Sequence, residues 1–242
     1  MTTWYVVDTS YADVTLDRAK ELRAKGVMAA AQCLWTGAEQ PKTRVTNLRN
    51  YIAAGIVPMG YISLAAGASG KGHIDMGRQG VPDDLWAQLV LVAVDVELAG
   101  IPNKEIRGAV ELLLALGKRR CIYTSYGHWT AHQGNDKSFG DCLLWNALWD
   151  GDPDMDFERL PYGGWSPPRV VGEQWSGGTM VTGSVLADRN TFVREVLMPE
   201  PERLTDTEIR GAIGAILTQL GKLGLESRRL TEDVRGTFRL IF

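Results

Sequence analysis

The most apolar stretch of the sequence is the run Leu89-Val90-Leu91-Val92-Ala93-Val94, which leads directly into Asp95-Val96-Glu97. A continuous run of aliphatic residues is typical of a strand that is buried on both faces, as in a parallel sheet covered by helices. Because alternate residues of a strand point to the same side, Asp95 and Glu97 are predicted to share one face. The run therefore predicts a central parallel strand that ends in two neighbouring carboxyl groups.

Other apolar segments alternate with helical patterns, which is the signature of βα units. Besides the run at 89–97, strands are predicted at residues 4–7, 27–34, 56–64, 120–124, 142–148, 170–175 and 185–188. Helices are predicted at residues 15–25, 44–54, 82–87 and 103–116, with a Gly-rich loop at 66–72. Since Pro- and Gly-rich loops join the later strands, we expect a modified (β/α) TIM-type barrel with fewer than eight outer helices.

The length of 242 residues suits one barrel with an appendage. The segment Pro199-Glu200-Pro201-Glu202 is predicted to be a linker, because two prolines and two like charges disfavour compact structure. A helix is predicted after it, since Thr205 to Glu208 have capping-box spacing and an apolar stripe runs from Ile209 to Leu223. We therefore expect a barrel domain at residues 1–198 and a linker with a helical C-terminal extension at 199–242, of which residues 203–242 oligomerise or dock.

Charge and hydropathy argue against two classes of partner. The sequence has 26 Lys and Arg against 29 Asp and Glu, a formal charge of −3, and no basic stripe that would bind nucleic acid. No apolar run approaches the roughly 20 residues of a membrane span. The N-terminus, Met1-Thr2-Thr3-Trp4, lacks the features of a signal peptide. We expect a protein made in the cytoplasm, with no nucleic-acid or membrane partner.

Four carboxyl groups are predicted at strand ends, where the functional groups of a parallel barrel collect. Asp8 follows the first strand, Asp95 and Glu97 end the fourth, and Asp188 ends the last. Two buried carboxyl groups at close range cannot both ionise freely, so one pKa should rise and supply a proton donor. Cleavage of a glycosidic bond needs such an acid and a second carboxylate. For Asp8 and Asp188 a turn or capping role remains an alternative.

Aromatic residues at the same strand ends would form a cleft that stacks against sugars. They are Trp35, Tyr61, Tyr123, Trp145 and Trp175. For each tryptophan the alternative is packing in the core. His128 and His132 have the spacing of a zinc pair, but no third ligand is evident and a surface or loop position is favoured. We expect neither a metal nor a cofactor.

Taken in order, these strand ends resemble glycoside hydrolase family 25, the lysozymes of the bacterial and phage muramidase type. The resemblance spans residues 4 to 192. The matching residues are Val7-Asp8-Thr9-Ser10, Asn47, Ala53-Ala54-Gly55-Ile56, Gly60-Tyr61, Asp95-Val96-Glu97, Ile122-Tyr123-Thr124-Ser125-Tyr126 with Trp129, Leu144-Trp145-Asn146-Ala147, Gln174-Trp175 and Asp188-Arg189-Asn190 with Phe192.

The resemblance implies cleavage, with net retention and without a cofactor, of the β-1,4 bond between N-acetylmuramic acid and N-acetylglucosamine in bacterial peptidoglycan. It implies that Glu97 is the general acid and base and that Asp95 orients or stabilises the substrate's acetamido group as an internal nucleophile. Asp8 and Asp188 match the residues that position this pair and tune its protonation. The Gln174-Trp175 match adds Gln174 to the five aromatic residues as a candidate for substrate binding.

The sequence departs from the family pattern at two strand ends. Gln32-Cys33-Leu34-Trp35-Thr36-Gly37 stands where the family carries Lys-Ala-Thr-Glu-Gly, and Tyr61-Ile62-Ser63 stands where it carries Tyr-His-Phe. The leading hypothesis is a phage endolysin, released by lysis or a holin pore, or a virion-associated lysin. The alternatives are a virion or assembly protein that uses a degenerate barrel for glycan binding or structure, and a chitinase-like glycosidase.

Overall fold

The computed structural model describes residues 2–157, 161–183 and 185–198. Eight strands form a closed barrel in the order of the sequence. They are β1 (Thr3–Thr9), β2 (Ala29–Trp35), β3 (Val57–Ser63), β4 (Val92–Asp95), β5 (Cys121–Ser125), β6 (Leu143–Ala147), β7 (Val170–Met180) and β8 (Leu186–Val193). The predicted barrel is confirmed, whereas the predicted linker and helical extension, residues 199–242, lie outside the described residues.

Helices cover the outside of the barrel. They are α1 (Leu16–Ala24), α2 (Arg44–Ala53), α3 (Gly70–Arg78), α4 (Asp83–Gln88), α5 (Asn103–Ala115), α6 (Tyr126–His132) and α7 (Arg194–Leu197). The connection between β6 and β7 includes a 3-10 turn at Pro167–Arg169. None of the helices described is long and apolar enough to cross a bilayer. The expectation of fewer than eight outer helices is confirmed.

The apolar run that ends at Asp95 serves two core layers. Ala93 belongs to the cluster that fills the barrel interior, together with Met59 and Phe192. Val92 and Val94 belong to the layer between the barrel and its helices. Because side chains alternate along a strand, a strand enclosed on both sides must be apolar at every position. This requirement explains the unbroken run.

The last strand differs from the prediction in length and direction. It was expected to end at Asp188, but β8 continues to Val193 and runs antiparallel to both β1 and β7. The connection from β7, residues 181–185, is too short for the crossover of a dozen or more residues that parallel strands require. Asp188 therefore lies near the start of β8, and it reaches the same edge as the parallel strand ends, where it pairs with Asp8.

Two helical segments were also assigned incorrectly from the sequence. The predicted loop at 66–72 contains the start of α3, whose first turn is capped by the Ser69 side chain, which accepts from the Gly72 amide. His128 and His132 lie on α6, a helix that was not predicted, and both are at least partly exposed, which agrees with the surface position expected for them. Glycine and histidine are weak helix formers, so local propensity did not indicate these helices, which are formed by capping and packing.

A close helix contact joins α3 to α5. A Cβ atom at Gly70 would lie 1.9 Å from the Glu105 carbonyl oxygen. The Gly70 amide also donates to Glu105 Oε2 at 2.9 Å. Only glycine therefore allows the start of α3 to reach this position, and α3 itself packs against β2 and β3.

Gly70→Ala is expected to lower the free energy of unfolding by about 1–3 kcal/mol, because the added methyl group would force α3 and α5 apart. Gly108→Ala is the matched control in the same helix pair, since its nearest neighbour would lie at 3.6 Å, an ordinary contact. Alanine also favours a helix over glycine by about 1 kcal/mol. Urea denaturation followed by circular dichroism measures both; equal stability of the two variants would contradict the tight packing.

Candidate active site

A cleft of about 310 Å³ lies at the edge of the barrel where the parallel strands end. It is lined by Asp8, Tyr61, Asp95, Glu97, Tyr123, Trp145, Gln174 and Asp188. The structure thus brings together all four carboxyl groups that the sequence singled out. The β1–β8 ladder places Asp8 directly opposite Asp188, and β4 with its extension contributes the other two.

Asp95 and Glu97 differ in their surroundings. Asp95 is 8% exposed, and its Oδ2 accepts a hydrogen bond from Ser63 Oγ at 2.5 Å. Its Oδ1 is buried without a hydrogen-bond partner among the described residues. Glu97 lies two residues beyond β4 and is partly exposed, while the Val96 amide still bonds to the Tyr123 carbonyl oxygen at 2.9 Å. Glu97 is therefore the member of the pair that solvent and substrate can reach.

The pKa values of both carboxyl groups are raised above those of free carboxyl groups. Burial raises the pKa of Asp95 to about 7, and the nearby Glu97 charge adds to this, while the Ser63 hydroxyl opposes it. Burial also raises the pKa of Glu97, against the opposing effects of His128 and Tyr123. A carboxyl group that keeps its proton near neutral pH can act as a general acid.

Asp8 is held by two amide side chains. Its Oδ2 accepts from Asn190 Nδ2 at 2.8 Å and from Gln174 Nε2 at 3.0 Å. Burial raises the pKa of Asp8 to about 7, with a further contribution from Asp188, and the two amide donors lower it. Asp188 likewise has a raised pKa through burial, opposed by the Gly178 amide. The amides fix the Asp8 carboxyl group in place without neutralising it.

The orientation of Gln174 is determined by its neighbours. Its Oε1 accepts from the Tyr123 hydroxyl at 2.8 Å and from Trp149 Nε1 at 2.6 Å. The indole nitrogen can only donate, so the amide nitrogen must face the carboxyl groups of Asp8 and Asp188. Gln174 was expected to bind substrate. In the structure its amide group forms hydrogen bonds that position the carboxyl groups of the cleft.

Three of the five predicted aromatic residues line the cleft. Tyr61 and Trp145 pack edge to face with ring centroids 6.4 Å apart, and Tyr123 packs against Trp145 at 4.9 Å. Trp145 is only 1% exposed, and its Nε1 donates to Asn190 Oδ1 at 2.8 Å. Trp145 therefore forms the floor of the cleft, and the two tyrosines form its walls.

Trp35 and Trp175 are not among the residues that line the cleft. A β-bulge between Cys33 and Trp35 turns Trp35 into the outer layer, where its Nε1 donates to His73 Nδ1 at 2.7 Å. Trp175 follows the inward-pointing Gln174, so alternation directs it outward, and the Arg189 guanidinium lies 5.7 Å from its ring. The cleft geometry therefore gives no support to substrate contacts by these two tryptophans.

Four residues near the cleft were not selected from the sequence. Ser63 and Asn190 lie two residues after Tyr61 and Asp188 on β3 and β8, so strand alternation could have indicated them. His128 affects the pKa of Glu97 from the first turn of α6. Trp149, 66% exposed, lies beyond β6 with its ring 3.1 Å from where a Gly177 Cβ would be, and no sequence pattern marks it.

The histidine pair shows no metal-binding arrangement. The rings of His128 and His132 lie 6.0 Å apart, and His128 Nδ1 is 3.0 Å from Ser125 Oγ. In the described part of the chain, the groups of three or more potential ligands do not include either histidine.

Comparison with known proteins gives one similar sequence and several similar folds. No protein-family model matches the chain. It is 32% identical over 87 residues to a probable GH family 25 lysozyme 3 of Dictyostelium discoideum, an alignment covering 36% of this chain and 18% of that protein. A bacterial lysozyme from Streptomyces coelicolor superposes with a TM-score of 0.67 and 18% identity, over 81% of this chain and 96% of that one. The catalytic domain of an endolysin from a bacteriophage of Listeria monocytogenes gives 0.63 and 15%, over 81% and 96%.

These comparisons confirm the resemblance that the motifs indicated. The chain has the fold of solved lysozymes, among them a family GH25 lysozyme from Aspergillus fumigatus (TM-score 0.66, 18% identity, over 82% of this chain and 100% of that one), and part of it is similar in sequence to the Dictyostelium protein. The matched segment amounts to 18% of the length of the Dictyostelium protein, less than a fifth of it.

Asp95→Asn is expected to stabilise the protein at neutral and alkaline pH. The folded-state pKa of Asp95 is raised from 3.8 to about 7. The folded wild type then holds more protons than the unfolded chain between these values, and its stability falls as the pH rises through this window. Asparagine does not titrate, so the variant should gain on the order of 1–3 kcal/mol relative to wild type at pH 8 and little at pH 4.

Urea denaturation at a series of pH values measures this difference. Asp17→Asn is the control, since the Asp17 side chain is 92% exposed. If the difference in free energy of unfolding between Asp95→Asn and wild type does not change with pH, the pKa of Asp95 is not raised by burial.

Proposed function

We propose that this protein is a peptidoglycan hydrolase of the muramidase type, which cleaves the β-1,4 bond between N-acetylmuramic acid and N-acetylglucosamine. The observation that carries the proposal is the cleft in which Asp8, Asp95, Glu97 and Asp188 meet. The likeness of the barrel to lysozyme structures supports it.

Glu97 is the proposed proton donor to the leaving glycosidic oxygen. It is partly exposed, whereas Asp95 is buried beneath it, and its raised pKa keeps a proton available. Asp95 orients or stabilises the substrate's acetamido group. The carbonyl oxygen of that group attacks the anomeric carbon as the glycosidic bond breaks. The Glu97 carboxylate next takes a proton from water, whose oxygen attacks the same carbon from the face vacated by the leaving group and breaks the bond between that carbon and the acetamido oxygen. Two inversions give net retention.

Asp8 and Asp188 position this pair and tune its protonation in the proposed mechanism. Asp8 contributes to the raised pKa of Asp95, and Asp188 contributes to that of Glu97. The amides of Gln174 and Asn190 hold Asp8 in place. The cleft therefore has a reacting pair and a supporting pair of carboxyl groups.

The substrate class fits the walls of the cleft. Tyr61 and Tyr123 line it, and the exposed Trp149 ring extends the wall beside Asp188. Aromatic rings offer sugars an apolar face while the carboxyl and amide groups between them bind hydroxyl groups. A polymer of alternating amino sugars is the proposed occupant.

The biological setting is part of the proposal. The likeness to a phage endolysin domain supports an endolysin, released by a holin pore or lysis, or a virion-associated lysin. Residues 203–242 would then join a second copy of the chain or a virion component. Size-exclusion chromatography with light scattering on the full chain tests the first of these, since a monomer excludes self-association.

One observation favours a second candidate function, a barrel kept for glycan binding or assembly. Gln32, in the middle of β2, has its side-chain amide fully engaged in internal hydrogen bonds: its Oε1 accepts from Thr9 and Asn47, and its Nε2 donates to the carbonyl oxygens of Ser10 and Cys33. Together with the outward turn of Trp35, this leaves neither Gln32 nor Trp35 available to contact a sugar. A loss of substrate contacts there would suit a protein that binds glycan without cleaving it.

The test is release of reducing sugar from purified peptidoglycan by the wild type, Glu97→Gln and Glu21→Gln. We expect Glu97→Gln to lower the rate by about 10²–10⁴-fold, because it removes the general acid. Glu21→Gln, an exposed change on α1, should retain full activity. Circular dichroism confirms that all three are folded.

If the folded wild type is inactive on several wall chemotypes, the second candidate function, glycan binding or assembly, is favoured. Release from chitin in place of peptidoglycan would indicate a chitinase-like glycosidase.

A further inference from the structure

A second acidic site lies outside the cleft, on the outer face of the barrel. The segment after β6 reads Asp150-Gly151-Asp152-Pro153-Asp154-Met155-Asp156, with an acid at every second position. On the neighbouring strand, β7 carries Glu173 immediately before Gln174. Because adjacent residues point to opposite faces, Glu173 faces away from the cleft that Gln174 lines.

Glu173 is an unusual residue for this position. It is 0% exposed, and its Oε2 accepts from Asn146 Nδ2 at 3.1 Å. Its Oε1 is buried and has no hydrogen-bond partner among the described residues. None of the ion pairs found in the described ranges includes Glu173. A buried carboxyl oxygen without a partner is costly, so a ligand at this oxygen would remove a large penalty.

The carboxyl groups of Asp154 and Asp156 lie next to Glu173. One oxygen from each of the three residues lies within 4.8 Å of the others. Asp154 is exposed and Asp156 partly buried, so an ion can enter from solvent while Glu173 holds it from beneath. Burial raises the pKa of Glu173 to about 7, and Asp156, Asp150 and Asp154 add to the effect, as expected where negative charges gather.

We propose that Asp154, Asp156 and Glu173 bind a calcium ion. Calcium takes oxygen ligands at about 2.3–2.6 Å in flexible geometry, so two ligands of one ion can lie about 5 Å apart. Magnesium binds at about 2.0–2.1 Å in a near-ideal octahedron, which limits opposed ligands to about 4.2 Å. The three carboxyl oxygens lie within 4.8 Å of one another, a separation that the longer bonds and flexible geometry of calcium can span. The expectation of no metal, drawn from the histidine pair and the cleft, did not consider this site.

Calcium at this site would fasten the segment after β6 to the barrel wall. That segment is already joined to β8 by the Thr191 hydroxyl, which donates to the Pro153 carbonyl oxygen at 2.8 Å. It also carries Trp149, whose Nε1 donates to Gln174 in the cleft. The proposal stands on the outer-face geometry alone and does not depend on the cleft being catalytic.

The experiment uses the full chain, freed of metal with EDTA and then titrated with CaCl2 or MgCl2 at constant ionic strength and pH 7.5. Isothermal calorimetry reports binding, and thermal unfolding reports its effect on Tm. At a calcium concentration a hundred times Kd, wild-type Tm should rise by about 5–10 °C. Glu173→Gln should lose at least tenfold in calcium affinity and most of the Tm shift.

Three further variants make the outcome decisive. Asp154→Asn changes an exposed residue and should weaken binding without disturbing the core, which covers the case that Glu173→Gln fails to fold. Glu21→Gln should bind calcium as the wild type does. Glu97→Gln should also bind normally, which separates this proposal from the catalytic one.

Absence of calcium binding by the wild type up to about 10 mM, roughly ten times the weak end of extracellular calcium sites, would overturn the proposal. So would equal calcium affinity of the wild type, Glu173→Gln and Asp154→Asn, since binding would then occur elsewhere. A larger effect of magnesium than of calcium would overturn the choice of ion.

Discussion

The burial of four carboxyl groups in one cleft is the constraint on which the rest of this barrel depends. Asp8, Asp95, Glu97 and Asp188 line one cleft, and burial raises the pKa of each. Such a group opposes folding when charged, so the surrounding scaffold must supply the stability. Two apolar layers, one inside the barrel and one beneath its helices, do so. The amides of Gln174 and Asn190 then set the geometry of the carboxyl groups.

Much of this arrangement could be predicted from local patterns. The apolar run before Asp95 indicated a strand buried on both faces, and strand alternation indicated that Asp95 and Glu97 share a side. The predictions failed where a non-local contact or an irregular backbone feature determines the local structure. The bulge that turns Trp35 outward has no sequence signal, and the helix that begins at Gly70 depends on packing against α5. The direction of β8 could have been inferred from its short connection.

Aromatic residues show why a strand-end position does not by itself define a role. Trp145 lies at such an end, but it is almost fully buried and binds Asn190. Trp149 lies beyond the strand, is largely exposed and contacts Gln174, although nothing in its sequence context distinguishes it. Whether a tryptophan offers its face to solvent depends on which neighbours cover it, and those neighbours come from distant parts of the chain.

The alternation on β7 carries a consequence for how the chain can vary in length. A bulge between Leu144 and Trp145 pairs Trp145 with Gly172, and this register directs Glu173 outward and Gln174 inward. A slip of one residue would exchange the two faces, placing an acid in the cleft and an amide among the aspartates. Insertions or deletions between the 3-10 turn and Glu173 should therefore be excluded in functional homologues.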